Sequence, residues 1–66
     1  MSVAKTAEIT ASSSKSFEDA IRAGIRKMSE SVKNIEGAWI KEQKVVVKKG
    51  EVEEYRVTMK VTFIVK

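Results

Sequence analysis

Apolar and polar residues alternate near both ends of the chain. From Val3 to Thr10, Val3, Ala7 and Ile9 take one parity, and threonine and glutamate take the other. The last segment alternates for longer, with apolar Tyr55, Val57, Met59, Val61, Phe63 and Val65 set against polar Glu54, Arg56, Thr58, Lys60, Thr62 and Lys66, and with Ile64 as the exception. A period of two is typical of a strand with one buried face. We therefore predict a first strand over 3–10 and a long final strand.

Between these strands, apolar residues recur every three or four positions. The stripe consists of Phe17, Ala20, Ile21, Gly24, Ile25, Met28, Val32 and Ile35. Ser16 and Asp19 have capping-box spacing, in which a hydroxyl and a carboxylate cover the first helical N–H groups. Ser14 is the alternative cap. The pattern predicts an amphipathic helix of about 18 residues that ends near Asn34, before Gly37.

A third β-rich segment spans residues 38–48. Its alternation is interrupted at residues 42–44, where we expect a bulge or a strong twist. Residues 48–51 supply a turn in which Gly50 can adopt a positive φ. A right-handed crossover makes the first and second strands parallel and leaves room for the third between them, antiparallel to both. The predicted fold is α+β, a single β-α-β-β domain over 1–66 with a three-stranded antiparallel sheet and one helix packed on one face.

The final strand is too long for so small a body. About 14 residues at ~3.4 Å each reach nearly 50 Å, whereas a compact chain of this length is roughly 28 Å across. So short a chain buries little surface, and one helix covers one sheet face only. Cysteine and histidine are both absent, so disulfides and the commonest zinc ligands are missing. We therefore predict a closed homo-oligomer.

Composition also removes several classes of function. Thiol, zinc and imidazole chemistry all need residues that the chain lacks. The serine cluster Ser12, Ser13, Ser14 and Ser16 has no His or Cys to activate a nucleophile. We therefore do not expect an enzyme.

The charge and hydropathy patterns leave three further questions about partners. The net charge of +4 and the group Lys44, Lys48 and Lys49 suggest nucleic-acid binding, but the few aromatics and the lack of a recognition motif favour a solvated turn. No apolar run reaches membrane-spanning length and the N-terminus has no h-region, so we expect a cytoplasmic protein without membrane contact. Carboxylates gathered by symmetry, such as Glu51, Glu53 and Glu54, remain candidates for a hard cation such as calcium.

Four strings carry a resemblance to a known family. They are Ser14–Phe17 opening the helix, Ser31–Asn34 closing it, Glu42-Gln43 in the second strand, and Glu54-Tyr55 leading into Val57–Phe63. With the length and element order, the chain resembles the dodecins over nearly all of its residues. The resemblance implies β-α-β-β subunits that form hollow homododecamers. It also implies that flavins, FMN or riboflavin, bind in pairs at subunit interfaces for storage or buffering.

The resemblance assigns a candidate flavin site to Gly37, Trp39, Glu42 and Arg56. The stacking tryptophan of flavin-binding dodecins falls at Gly37, and Trp39, about 6–7 Å further along the same strand face, is the candidate replacement. Glu42 corresponds to an acidic residue near the ribityl chain. Arg56 stands where these members tend to carry glutamine, and its guanidinium donates hydrogen bonds but accepts none.

Each of these residues has an alternative interpretation. Trp39 is also suited to anchoring a subunit contact or covering core. Arg56 is suited to an ion pair with Glu54 or Glu42 of a neighbouring subunit, or to binding the phosphate of FMN. We interpret the methionines at 28 and 59 as packing residues. Flavin is the leading ligand, and the alternative is a dodecin-like shell that has lost flavin and holds another ligand, a metal ion such as calcium, or nothing.

Overall fold

The computed structural model describes residues 3–65 and contains four elements. They are β1 (Val3–Ser13), α1 (Phe17–Ser29), β2 (Ile35–Lys48) and β3 (Glu51–Val65). β3 lies between β1 and β2 and is antiparallel to both. The predicted element order, sheet and strand order are confirmed. Lys66, which the pattern assigned to the polar parity, lies outside the described residues.

The core lies between the helix and the central strand. Val57, Met59 and Val61 of β3 and Ala20 of α1 are fully buried. Partly buried side chains around them come from β1, α1 and β2: Ile9, Ala11, Phe17, Ile21, Ile25, Met28, Ile35 and Ile40. The odd-numbered residues of β3 therefore face the helix, as the alternation predicts, and the methionines at 28 and 59 pack as expected.

The start of the helix follows the predicted cap. Ser16 has extended backbone angles, and its Oγ accepts a hydrogen bond from the Asp19 backbone N–H at 2.9 Å. Ser16, not Ser14, is thus the cap. The second half of the predicted capping box differs, because the Asp19 carboxylate accepts a hydrogen bond from the Ser13 hydroxyl at 2.7 Å. This contact ties the end of β1 to the first turn of the helix.

The predicted end of the helix is wrong. The helix has 13 residues and stops at Ser29, whose hydroxyl donates to a carbonyl of the last turn at 2.7 Å. Asn34 then adopts a left-handed φ of 64°, and its carbonyl accepts a hydrogen bond from the Ile64 backbone N–H at 3.0 Å. The chain therefore leaves the helix before the apolar stripe ends, and it joins the sheet at β2. Val32 and Ile35, which continue the helical spacing, lie in the connection and at the first position of β2.

The hairpin between β2 and β3 has an irregular ladder and a regular turn. The β2–β3 register shifts at three points, between Ile35 and Gly37, between Ile40 and Glu42, and between Val46 and Val47. The second shift lies next to the predicted interruption and leaves Lys41 as the extra residue. At the turn, Lys49 and Gly50 both have positive φ, 52° and 77°. Two such residues form the type I′ turn that suits the twist of a hairpin.

The described chain is strongly elongated, with principal extents of 52 × 20 × 13 Å. The long dimension agrees with the reach predicted for the final strand. The helix packs on β1 and β3, so much of the β2–β3 hairpin lies beyond it. Val45, Val47 and Val52 on this hairpin are 40%, 55% and 48% exposed. In the described part of the chain, no helix has the length and apolar character needed to cross a membrane.

Gly24 sets how closely the helix approaches the sheet. A Cβ at this position would lie 2.8 Å from the Met59 Cε and 2.9 Å from the Ala11 Cβ. We predict that Gly24→Ala lowers the free energy of unfolding by about 1 kcal/mol. Overpacking costs about 1–3 kcal/mol, and this outweighs a gain of up to about 1 kcal/mol in helix propensity.

Urea unfolding of the wild type and of the Gly24→Ala variant measures this effect. Gly37→Ala is the matched control, since a Cβ at Gly37 meets nothing within 4 Å. We expect the control to change stability by less than about 0.5 kcal/mol. A Gly24→Ala variant as stable as the wild type would contradict the close approach of helix and sheet.

Candidate functional site

All four predicted site residues lie on the sheet face opposite the helix. Residues directly opposite each other in antiparallel strands point to the same side of the sheet. The relevant pairs are Gly37–Thr62, Trp39–Lys60, Glu42–Thr58 and Lys44–Arg56. The β3 members of these pairs are even-numbered and so face away from the helix. We call this surface, formed by the even-numbered residues 54–62 of β3 and their cross-strand partners, the uncovered face.

The bulge at Lys41 brings Trp39 and Glu42 to this common face. Three residues apart on a regular strand, their side chains would point to opposite sides of the sheet. The register shift between Ile40 and Glu42 changes the parity. Trp39 and Glu42 therefore lie on neighbouring rows of one surface.

Trp39 is the most prominent side chain on the uncovered face. It is 66% exposed, so it covers no core in the described chain. The Lys60 Nζ lies 5.4 Å from the centroid of its ring, within the range of a cation–π interaction. Gly37, on the adjacent row, is exposed and has open space where a Cβ would stand. An aromatic ring with free space next to it is thus available for stacking.

A second charged contact crosses the sheet beside Trp39. Glu8 of β1 lies opposite Lys60, but its Oε1 is 3.3 Å from the Nζ of Lys41. Within residues 3–65, no salt bridge joins Lys60 to a carboxylate. Lys60 therefore has the Trp39 ring as its neighbour on β2, while Glu8 is engaged by Lys41.

Arg56 is paired within its own chain. Its Nε donates a hydrogen bond to the Glu54 Oε1 at 2.7 Å. This hydrogen bond, assisted by one from the Ser12 hydroxyl, holds the pKa of Glu54 below its ordinary value. The expected partner residue is therefore found, but in the same chain. The contact uses Nε, and the terminal nitrogens of the guanidinium remain available to an anionic acceptor.

Trp39 and Arg56 mark two ends of the candidate site. Arg56 and Lys60, the cross-strand partner of Trp39, are four residues apart on β3, which corresponds to about 13 Å. A ring stacked on Trp39 therefore does not reach Arg56 of the same chain by itself. Contact with both residues requires a ligand with a tail, or Arg56 from another subunit.

The acidic residues considered for calcium do not form a site in one chain. Within residues 3–65, no three acidic side chains are grouped so that they could hold a metal ion. Glu53 lies 3.4 Å from the Nζ of Lys48, and Glu54 is bound to Arg56. A hard cation at these residues would need ligands from more than one subunit.

A concave surface lies on the helix side of the sheet. It is an open groove of about 460 Å³ between α1 and β1, with Ile9, Ala11, Gly24 and Met28 among its lining residues. Its lining is mainly apolar, and none of the four predicted site residues contributes to it.

The sequence model of the dodecin family matches residues 3–66 of the chain. The chain belongs to the dodecin family. Dodecins are small binding or storage proteins that generally bind flavins and form homo-oligomers. A search of curated proteins finds no match.

Solved dodecin structures have the same fold. A dodecin variant from T. thermophilus superimposes with a TM-score of 0.95 at 24% identity, over 100% of this chain and 98% of that chain. The dodecin from Streptomyces davaonensis gives 0.94 at 26% identity, over 98% and 96%. A third, described as a calcium-chelating antigen, calcium dodecin, from Mycobacterium tuberculosis with a novel calcium-binding site, gives 0.84 at 29% identity, over 97% and 91%.

Sequence reasoning missed the two lysines next to Trp39. The alternation of β3 placed Lys60 on the polar face, but its position opposite Trp39 depends on the register set by the bulges of β2. Lys41 is the bulged residue itself, and its contact with Glu8 spans the central strand. The broken alternation near residue 42 was the only signal of this arrangement in the sequence.

The pairing of Glu54 with Arg56 predicts a specific response to acid. Because the folded-state pKa of Glu54 is lowered, its ionised form contributes stability above the ordinary value of 4.5, and that contribution is lost as the pH falls through the lowered value. We predict that Glu54→Gln makes the unfolding midpoint less sensitive to pH below 4.5. Glu30→Gln makes the same charge change on the helix side and is the control. An unchanged acid dependence in Glu54→Gln would contradict the pairing.

Proposed function

We propose that this chain forms a cytoplasmic homododecamer that binds flavin, FMN or riboflavin, between subunits and acts as a storage or buffering protein rather than an enzyme. The observation that carries this proposal is the exposed ring of Trp39 on the uncovered face, aligned with Gly37 and Glu42 in a family that generally binds flavins. A polar strand face with one exposed aromatic ring is suited to stacking a planar ligand.

Each site residue has a distinct proposed role. Trp39 stacks on the flavin ring in place of the tryptophan that the family resemblance expects at Gly37, and the empty space at Gly37 leaves room for the shifted ring. The carboxylate of Glu42, on the next row, accepts hydrogen bonds from ribityl hydroxyls. Arg56, with Nε bound to Glu54, offers its terminal nitrogens to the phosphate of FMN.

The shape of the chain supports placing this site between subunits. A ring stacked on Trp39 is covered from one side only, because this side chain is exposed on an open sheet face. A second copy of β2 and β3 laid against the uncovered face would cover the other side of the ligand. The exposed valines of the hairpin lie on the other side of the sheet. A further subunit contact there would bury them, and such burial is favourable by roughly 25 cal/mol per Å².

The alternative function is a shell that holds another ligand or a hard cation such as calcium. It is favoured by the absence of an aromatic ring at Gly37 and by the similarity to a structure described as a calcium dodecin. We rank it second because Glu53 and Glu54 are already paired with Lys48 and Arg56 in the described chain.

Titration with FMN and riboflavin tests the proposed function. Trp39 is the sole tryptophan, so its fluorescence reports stacking directly. We predict that flavin quenches Trp39 fluorescence in a saturable way. We also predict that Trp39→Ala does not bind flavin, and in that variant binding is measured by the fluorescence of the flavin itself. Arg22→Ala, on the exposed side of the helix, is the control.

Two outcomes would reject flavin as the ligand. One is unchanged Trp39 fluorescence up to roughly 100 µM flavin, which would mean that the flavin binds with a free energy weaker than about −5.5 kcal/mol. The other is equal flavin binding by the wild type and Trp39→Ala. A rise in melting temperature with calcium, in a protein that does not bind flavin, would favour the alternative.

Gly37→Trp provides a gain-of-function test of the same site. Because a Cβ at Gly37 meets nothing within 4 Å, we expect the variant to fold normally. A second ring at the family's stacking position should raise flavin affinity about tenfold, which corresponds to roughly 1.4 kcal/mol of added aromatic contact. Gly37→Ala separates the effect of the ring from that of a side chain in general. Equal affinity of both variants would place the flavin elsewhere.

A further inference from the structure

Lys60 is held against the ring of Trp39. The two residues are cross-strand partners on the uncovered face, and the Nζ stands 5.4 Å from the ring centroid. Lys60 is half-buried as a whole residue. Its Nζ stands over one side of the ring, and a planar ligand would stack on the other side.

The charge of Lys60 is not compensated by a carboxylate in the described chain. The charged residues of the uncovered face are Glu8, Lys41, Glu42, Lys44, Glu54, Arg56 and Lys60. Two of the three carboxylates are engaged by other cations, Glu8 by Lys41 and Glu54 by Arg56. Glu42 lies opposite Thr58 and forms no salt bridge with Lys60 within residues 3–65. The ammonium group next to Trp39 is therefore a positive charge without a salt-bridge partner in residues 3–65, and it can attract an anionic ligand.

We propose that Lys60 is a specificity-determining residue that makes the site prefer negatively charged ring ligands over neutral ring ligands of the same shape. A ring stacked on Trp39 would lie within about one Debye length of the ammonium group at physiological salt. The attraction would therefore act on charge in the ring or in a short tail. This inference rests on the proposed stacking at Trp39, but not on the identity of the flavin.

Lys60, rather than Arg56 of the same chain, is the better candidate for this selectivity. Arg56 shares its charge with Glu54 through a 2.7 Å contact, and it lies about 13 Å along β3 from the row of Trp39. Lys60 is adjacent to the ring and lacks such a partner in the described residues. The two positions can be distinguished by substituting each one separately.

The first test compares FMN with riboflavin, which share a ring and differ by the phosphate. At low salt we expect FMN to bind more tightly than riboflavin. The ratio of the two dissociation constants should fall about threefold to fivefold in Lys60→Gln, and should be kept in Lys60→Arg. Lys27→Gln, which removes the same charge from the exposed helix surface, should leave the ratio unchanged. A ratio that is kept in Lys60→Gln, or lost only in Arg56→Gln, overturns the proposal.

The second test needs no flavin and uses collisional quenching of Trp39. Iodide, caesium and acrylamide serve as anionic, cationic and neutral quenchers. We expect the ratio of iodide to caesium quenching to fall about twofold or more in Lys60→Gln but not in Lys27→Gln. Quenching by acrylamide checks that access to the ring is the same.

The two tests separate this inference from the proposed function. If neither flavin binds, the proposed function fails and the quenching ratio alone decides the role of Lys60. An unchanged iodide-to-caesium ratio in Lys60→Gln overturns the role of Lys60, even where flavin binds.

Discussion

The helix covers one face of the sheet and only part of its length, and the other features of the molecule follow from this limited coverage. Val57, Met59 and Val61 are fully buried beneath it. Beyond it, the 52 Å body presents an apolar hairpin on one side and the row of Trp39 on the other. An open sheet edge or an exposed apolar strand is a template for contact with another chain. The exposed surfaces are therefore the ones on which we place subunits and ligand.

Much of the fold could be predicted because local and global preferences agree over most of the chain. The long alternation of β3, the cap at Ser16 and the glycine turn all appear as expected. The end of the helix could not be predicted from spacing, because Val32 and Ile35 continue the apolar stripe. The left-handed conformation of Asn34 and its hydrogen bond to Ile64 decide that boundary, and such a contact between distant residues leaves no periodic signal.

The candidate site depends even more strongly on register. Its four residues were assigned by family resemblance, and their common face follows from one extra residue, Lys41, in the ladder. A shift of one residue reverses the direction of every side chain beyond it. For the same reason, no pattern along the chain pairs Lys60 with Trp39. The two cations of the site have different neighbours, since Arg56 is paired with Glu54 whereas Lys60 faces an aromatic ring.

Sedimentation of the purified protein at micromolar concentration tests this account most directly. If the exposed valines and the uncovered face are subunit contacts, the protein sediments as one species with twelve times the 7.4 kDa mass of the chain. Substitution of Val47 by lysine should then shift the distribution towards smaller species. A stably folded monomer of 7.4 kDa would contradict the account, because it would show that this half-covered sheet needs no partner.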